Sequence, residues 1–103
     1  MFSIFNPVKS VSIEELAEVL QRNSKLLDVR TPGEYRSGHI RKSINLPLNK
    51  VSDYKDDSKP VYIICQSGMR SKKATKVLRK KGIEAINVRG GMNQWRGKKV
   101  TGK

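Results

Sequence analysis

The sequence is poor in cysteine and in long apolar runs. Cys65 is the only cysteine among 103 residues, so no internal disulfide can form and packing alone must stabilise the fold. A lone thiol suits a reducing compartment, and we therefore expect a cytoplasmic protein. No apolar stretch approaches the roughly 20 residues of a membrane-spanning helix, and the opening MFSIF is too short and lacks the basic start of a secretory signal.

Acidic residues are almost missing from the chain after Cys65. Residues 1–65 carry ten Lys and Arg against eight Asp and Glu, whereas residues 66–103 carry twelve against Glu84 alone. Most of the net charge of +13 therefore follows Cys65, and it would attract small anions, acidic protein surfaces or nucleic acid. Since only three tyrosines and one tryptophan are present and they do not interleave with the basic residues, we do not expect direct nucleic-acid recognition.

Helical and strand-like patterns alternate along the chain. Capping boxes at Ser12 with Glu15 and at Thr31 with Glu34 predict the starts of two helices. Apolar patterns predict four strands, at residues 25–30, 43–48, 61–65 and 83–88. They also predict a basic helix at residues 71–82 and a final short helix within residues 89–95. Residues 52–60 are expected to be a polar loop.

This alternation predicts one α/β domain over residues 1–103. The central sheet is expected to be mainly parallel, with about five strands and with helices on both faces. We expect residues 98–103 to be a flexible basic tail and the protein to be monomeric.

Cys65 lies where an apolar strand is predicted to end, and ligands bind at that edge of a parallel sheet. The next helix begins just beyond it, and the free N–H groups of a helix start favour negative charge. Gly68 lets the loop curl so that its N–H groups point inward, and Arg70, Lys72 and Lys73 add positive charge. These features predict a solvent-reachable Cys65 with a lowered pKa, because the thiolate is favoured. A buried structural cysteine would explain the strand alone, but it would not need this loop.

Three separated segments resemble the rhodanese family of sulfurtransferases, in its small single-domain form. Residues 26–48, LLDVRTPGEYRSGHIRKSINLPL, are similar to the first signature of the family. Residues 65–71, CQSGMRS, resemble its six-residue active loop from Cys to Arg, and residues 87–95, NVRGGMNQW, resemble its closing glycine pair and tryptophan. The three segments occur in the order of the family and span most of the chain.

The resemblance implies a thiosulfate sulfurtransferase that carries sulfur as a persulfide on Cys65. The thiolate would attack the outer sulfur of an anionic donor such as thiosulfate, and cyanide or a thiol would then accept that sulfur. The loop that would hold the persulfide and steer the donor consists of Gln66, Ser67, Gly68, Met69, Arg70 and Ser71. No metal or organic cofactor is implied. Without a second cysteine, the acceptor must be an external thiol or a sulfur-acceptor protein, and no membrane partner is expected.

Other signature residues are expected to support the structure. Arg30 and Glu34 lie within one helical turn, and we expect them to pair and brace the loop between them. Asp28 is expected to order local backbone rather than to transfer protons. His39 is the only histidine, and one His with one Cys cannot make a metal site, so a structural part is expected for it as well.

Two other functions remain open from the sequence. Phosphatases and arsenate reductases with a Cys–Arg loop place five residues between the two side chains, whereas Cys65 and Arg70 enclose four, a ring that fits one sulfur better than a phosphoryl group. A rhodanese-like module without activity could bind acidic partners through residues 70–81. Retention of both Cys65 and Arg70 favours the enzyme.

Overall fold

Five parallel strands form the centre of the fold in a computed structural model that describes residues 9–103. The strands are β1 (Ser10–Val11), β2 (Lys25–Asp28), β3 (Ile44–Asn45), β4 (Val61–Ile64) and β5 (Ala85–Val88), in the order β1-β5-β4-β2-β3. The helices are α1 (Ile13–Leu20), α2 (Pro32–Ser37) and α3 (Met69–Lys80), with 3₁₀ helices at Leu48–Asp53 and Gly91–Gln94. The predicted α/β fold class is confirmed. The opening MFSIF, weighed above as a signal segment, lies outside the described residues.

Both predicted capping boxes are present. The Ser12 hydroxyl accepts from the backbone N–H of Glu15 at 3.1 Å, and the Glu15 carboxylate accepts from the Ser12 N–H at 2.8 Å. Thr31 and Glu34 make the same reciprocal pair at 3.2 and 3.0 Å. These local bonds satisfy N–H groups that a helix start leaves free, so α1 and α2 begin where the sequence predicts.

The core has two layers because neighbouring residues of a strand point to opposite faces of the sheet. Leu27 and Ile63 are paired in register and pack with Leu78 of α3 on one face. Leu26 and Ile64 pack on the other face with Leu16 of α1. Helices therefore cover both faces, as predicted.

Several boundaries differ from the predicted ones. Strand β1 was not predicted, because two residues are too short to show a periodic pattern; it pairs with β5 through Ser10 and Asn87 and through Val11 and Val88. The 3₁₀ helix Leu48–Asp53 extends into the segment predicted as a loop. No helix among residues 9–103 is both long and apolar enough to cross a membrane.

Part of the predicted flexible tail is bonded to the rest of the fold. Val100 and His39 exchange two backbone hydrogen bonds, each with an N–O distance of 2.8 Å. Gly102 donates to the carbonyl of Arg36 at 2.9 Å. The middle of residues 98–103 is thus held against the end of α2. The sequence does not predict this contact, because a single isolated bridge produces no periodic pattern.

A buried ion pair joins four segments at the carboxyl end of β2. Arg30 is 4% exposed and donates to both carboxylate oxygens of Asp28, which is fully buried, at 2.9 and 2.7 Å. Its two terminal nitrogens also donate to the carbonyl of Gly38 at 2.8 Å and to the side chain of Gln66 at 3.2 Å. Asn45 donates to the carbonyls of both Asp28 and Arg30. Arg30 therefore ties β2 to α2, and the ion pair positions the loop that follows β4.

Replacement of Arg30 by methionine should destabilise the fold strongly. The Asp28 carboxylate would be left buried without its cation, and such a loss costs about 3–5 kcal/mol in the free energy of unfolding. Urea denaturation would measure this cost against Arg22→Met, which removes an exposed arginine and should change stability by less than about 0.5 kcal/mol. Equal effects of the two substitutions would contradict this role of Arg30.

Candidate active site

The backbone around Cys65 is fixed by the last 3₁₀ helix. Met92 donates its N–H to the Cys65 carbonyl at 2.8 Å, and Asn93 donates to the Gln66 carbonyl at 2.9 Å. A Cβ on Gly91 would lie 2.4 Å from the Cys65 carbonyl oxygen, and the positive φ of 58° at Gly91 also favours glycine. The second glycine of the pair is therefore required by the close approach of two backbones beneath the cysteine.

Several hydrogen-bonding groups surround the sulfur of Cys65. The backbone N–H groups of Gly68 and Ser71 donate to Sγ at 3.0 and 3.3 Å, and the Ser71 hydroxyl lies 3.3 Å from it. Gly68 has φ of 103°, which side chains disfavour, and it precedes the first turn of α3. The predicted curl of the loop around the sulfur is present, and it converges N–H groups on one atom as an anion site does.

These contacts favour the charged form of the sulfur. Burial is the largest single influence on the pKa of Cys65 and raises it, but the hydrogen bonds from the Ser71 hydroxyl and from the Ser71, Gly68 and Ser67 N–H groups together outweigh burial. The pKa of Cys65 therefore lies below its ordinary value. Hydrogen bonds, rather than the cationic side chains of Arg70, Lys72 and Lys73 expected from the sequence, are the main cause that lowers the pKa.

The sulfur is more enclosed than the sequence predicts. Cys65 is 0% exposed, so the expectation of a solvent-reachable side chain is wrong for this arrangement. The loop and the first turn of α3 close over it, while Met69, on the outside of that turn, is 72% exposed. Since Cys65 is fully buried, a small molecule can reach the sulfur only when neighbouring side chains move.

Arg70 is held by a carboxylate beside the loop. Its two terminal nitrogens donate to the two oxygens of Glu34 at 2.8 and 3.0 Å. The hydrogen bond from Arg70 is the main cause that lowers the pKa of Glu34 to about 2, against a smaller opposing effect of burial. The predicted pairing of Glu34 with Arg30 is wrong, because Arg30 binds Asp28 and Glu34 turns to a partner 36 residues further along the chain.

The side chain of Gln66 links the loop to its surroundings. It accepts from Arg30 at 3.2 Å and donates to Asn93 at 2.7 Å. Asn93 was not predicted as part of the site, although it lies two residues beyond the glycine pair of the third signature. The Ser71 side chain thus contacts the sulfur directly. The Gln66 side chain instead stabilises the loop through hydrogen bonds to Arg30 and Asn93.

Open clefts lie at the two opposite ends of β2. The cleft beside the loop has a volume of about 340 Å³ and is lined by Val29, Thr31, Pro47, Leu48, Asn49 and Arg70. A larger cleft of about 400 Å³ lies near the start of β2 and includes none of the predicted site residues. The chemistry around Cys65, rather than cavity size, identifies the candidate site.

His39 has structural contacts. It is 2% exposed, its Nδ1 lies 2.7 Å from the Tyr35 carbonyl, and its ring stacks on that of Tyr35 with centroids 3.7 Å apart. Across residues 9–103, no three His, Cys, Asp or Glu side chains come close enough together to hold a metal ion.

Comparison with protein families gives a match over most of the chain. A family model described as a rhodanese-like domain matches residues 12–98. Two relatives come from Bacillus subtilis strain 168: the uncharacterised protein YqhL, 42% identical over 81 residues, and the putative sulfur carrier protein YrkF, 34% identical over 97 residues. These alignments cover 75% and 88% of this chain but only 64% and 52% of the relatives, so the chain spans less than two thirds of either. Thiosulfate sulfurtransferase 18 of Arabidopsis thaliana is 34% identical over 106 residues, covering 85% of this chain and 78% of that protein.

Solved structures show the same fold. The rhodanese-like domain protein of Staphylococcus aureus superposes with a TM-score of 0.85 at 31% identity, covering 93% of this chain and 100% of that one. The human single-domain sulfurtransferase TSTD1 gives a TM-score of 0.78 at 25% identity, covering 85% and 95% of the two chains.

The substitution Ser71→Ala should raise the pKa of Cys65. It removes the hydroxyl that stabilises the thiolate and leaves the backbone donors in place. The ultraviolet absorbance of the thiolate, followed against pH, would measure the change. Ser67→Ala is the matched control, because Ser67 acts through its backbone N–H, which the substitution retains. An unchanged titration of the Ser71→Ala protein would contradict the assignment.

The pair of Glu34 and Arg70 should stabilise the fold only where Glu34 is charged. Because the pKa of Glu34 falls from its ordinary 4.5 to about 2 on folding, this contribution is complete above about pH 4.5 and is lost as the pH falls through 2. Both side chains are about a third exposed, so we expect only about 1 kcal/mol, or a few degrees in Tm. The Tm difference between the unmodified protein and Glu34→Gln should therefore shrink between pH 4.5 and 2, and Glu18→Gln on exposed α1 surface should show a smaller change. A Tm difference that stays constant over this range would argue against the pair.

Proposed function

The chain belongs to the rhodanese-like domain family, and we propose that it is a sulfurtransferase that carries a sulfane sulfur on Cys65. The observation that carries this proposal is the set of hydrogen-bond donors from Gly68 and Ser71 that converge on one buried sulfur. A structural cysteine in the core needs no such donors. Relatives described as thiosulfate sulfurtransferases support the same class of reaction.

The first half-reaction we propose loads the sulfur from an anionic donor such as thiosulfate. The Cys65 thiolate attacks the outer sulfur of the donor and forms a new S–S bond. The S–S bond within thiosulfate breaks, and its electron pair leaves with sulfite. The N–H groups of the loop stabilise the negative charge of the thiolate before attack and that of the persulfide afterwards.

The second half-reaction returns the enzyme to its starting state. A thiolate or cyanide attacks the outer sulfur of the persulfide, and the bond between the two sulfurs breaks with its electron pair on Sγ. The products are an acceptor persulfide or thiocyanate, together with the Cys65 thiolate. The enzyme alone carries the sulfur between the two steps, so the proposal includes no cofactor.

Arg70 can contribute to donor binding without leaving Glu34. Its guanidinium has five N–H donors, and two nitrogens are engaged by the carboxylate. Arg70 also lines the cleft beside the loop, from which an anion could approach. We propose that Arg70 orients the donor there while the loop over Cys65 opens.

The acceptor in the cell is proposed to be an external thiol or a sulfur-acceptor protein. A relative from Ogataea parapolymorpha is described as an adenylyltransferase and sulfurtransferase, and the relative YrkF as a putative sulfur carrier, which agrees with transfer between proteins. A reducing cytoplasm would keep Cys65 available for the reaction. A single domain over residues 1–103 and a monomeric state stay predictions.

Intact mass measurement after mixing with thiosulfate tests the proposal. We expect the mass to increase by one sulfur atom, and cyanide should then remove this sulfur as thiocyanate. Cys65→Ser should show neither effect. No added sulfur on the native protein, or an adduct that survives Cys65→Ser, would contradict the mechanism. Turnover of an aryl phosphate instead of thiosulfate would favour the phosphatase alternative.

A further inference from the structure

One exposed face of α3 combines positive charge with apolar side chains. We call the α3 face the surface formed by Met69, Lys73, Lys76, Val77 and Lys80, which recur at steps of three and four residues and so share one side of the helix. At 1.5 Å per residue, this face is about 16 Å long. It begins at Met69, on the turn that closes over Cys65.

The lysines of this face are not neutralised by ion pairs among residues 9–103. Residues 69–80 include no acid, and the only acid after Cys65, Glu84, is paired with Lys9 at 3.3 Å. Within residues 9–103, none of the ion pairs involves Lys73, Lys76 or Lys80. Their charge is therefore available to a partner.

The lysines of this face are close enough to repel one another. Lys73, Lys76 and Lys80 are three and four residues apart, a spacing at which like charges repel, although the helix dipole favours Lys80 in the last turn.

The apolar members of the face indicate a protein as the partner. Met69 is 72% and Val77 38% exposed, and they are two of the four large apolar residues exposed among residues 9–103. Apolar side chains between cations fit a protein surface on which carboxylates surround an apolar contact. The face has no aromatic side chain on which a nucleic-acid base could stack.

We propose that the α3 face docks an acidic protein whose thiol exchanges sulfur with Cys65. This inference rests on the proposed function and names the partner of the same site. A protein bound along α3 contacts Met69 on the turn that covers the sulfur, so docking places the partner's thiol at the point where Cys65 becomes accessible. The partner's thiolate attacks the outer sulfur of the Cys65 persulfide, the electron pair of the broken bond returns to Sγ, and the partner leaves as a persulfide.

Sulfur transfer to two synthetic peptides tests the docking surface. One peptide has a single cysteine flanked by glutamates and a leucine, and its match has glutamine in place of each glutamate. The charge-reversed protein is Lys76→Glu with Lys80→Glu. The control is Arg41→Glu with Lys59→Glu, which changes the net charge equally at exposed residues lining the cleft near the start of β2.

At low salt, we expect the persulfide of the unmodified protein to transfer sulfur faster to the acidic peptide than to its glutamine match. The ratio of these two rates is the preference for the acidic peptide. The reversal on α3 should reduce this preference about tenfold, and the control pair much less. The rate with cyanide as acceptor should be the same in all three proteins, since neither pair touches the sulfur. Added salt should reduce the preference of the unmodified protein.

Three outcomes would overturn the docking proposal. An equal loss of the peptide preference in the two variants would indicate that overall charge, rather than the α3 face, determines it. Cyanide turnover without any preference between the peptides would contradict the docking surface but not the sulfurtransferase activity. Tight binding of bulk tRNA that is lost on α3 reversal, without a peptide preference, would identify a nucleic-acid surface instead. Absence of cyanide turnover in the unmodified protein would instead contradict the proposed function itself.

Discussion

The buried guanidinium of Arg30 makes the contacts on which the arrangement of the chain around Cys65 depends. It neutralises Asp28 and donates to groups from α2 and from the loop after β4, so three separate chain segments share one cation. A charge in this position is costly to bury, and it is retained only because each of its neighbours accepts a hydrogen bond. The loop around Cys65 is positioned by the close packing of Gly91 against the Cys65 backbone and by the hydrogen bond from Arg30 to Gln66.

The properties of the sulfur result from two opposing effects. Enclosure removes water and disfavours the thiolate, while the converging donors of Gly68 and Ser71 favour it, and the donors prevail. In the proposed mechanism, an enclosed anion with fixed donors would not have to reorganise solvent when charge moves to a second sulfur. The same enclosure leaves the sulfur buried, while the outer side of the loop, with Arg70 and the exposed Met69, faces solvent.

Features encoded within a few residues could be predicted from the sequence, and features that depend on distant partners could not. The capping boxes at Ser12 and Thr31 and the curl at Gly68 follow from local hydrogen bonds and backbone preferences, and they were predicted. The ion pairs of Asp28 with Arg30 and of Glu34 with Arg70 depend on which elements the fold brings together. Proximity in the sequence suggested a pair between Arg30 and Glu34 that the fold does not make. Strand β1 and the complete burial of Cys65 were missed for the same reason, because packing against the rest of the chain determines both.

The bridge between Val100 and His39 makes the end of the chain part of the frame around α2. His39 stacks on Tyr35, and Tyr35 is next in sequence to Glu34, whose carboxylate binds Arg70, so a chain of contacts connects Val100 with the loop around Cys65. Affinity tags or fusion partners are therefore better attached through a linker that leaves Val100 and Gly102 in place. Truncation before Val100 would remove the two backbone hydrogen bonds with His39 and the one from Gly102 to Arg36.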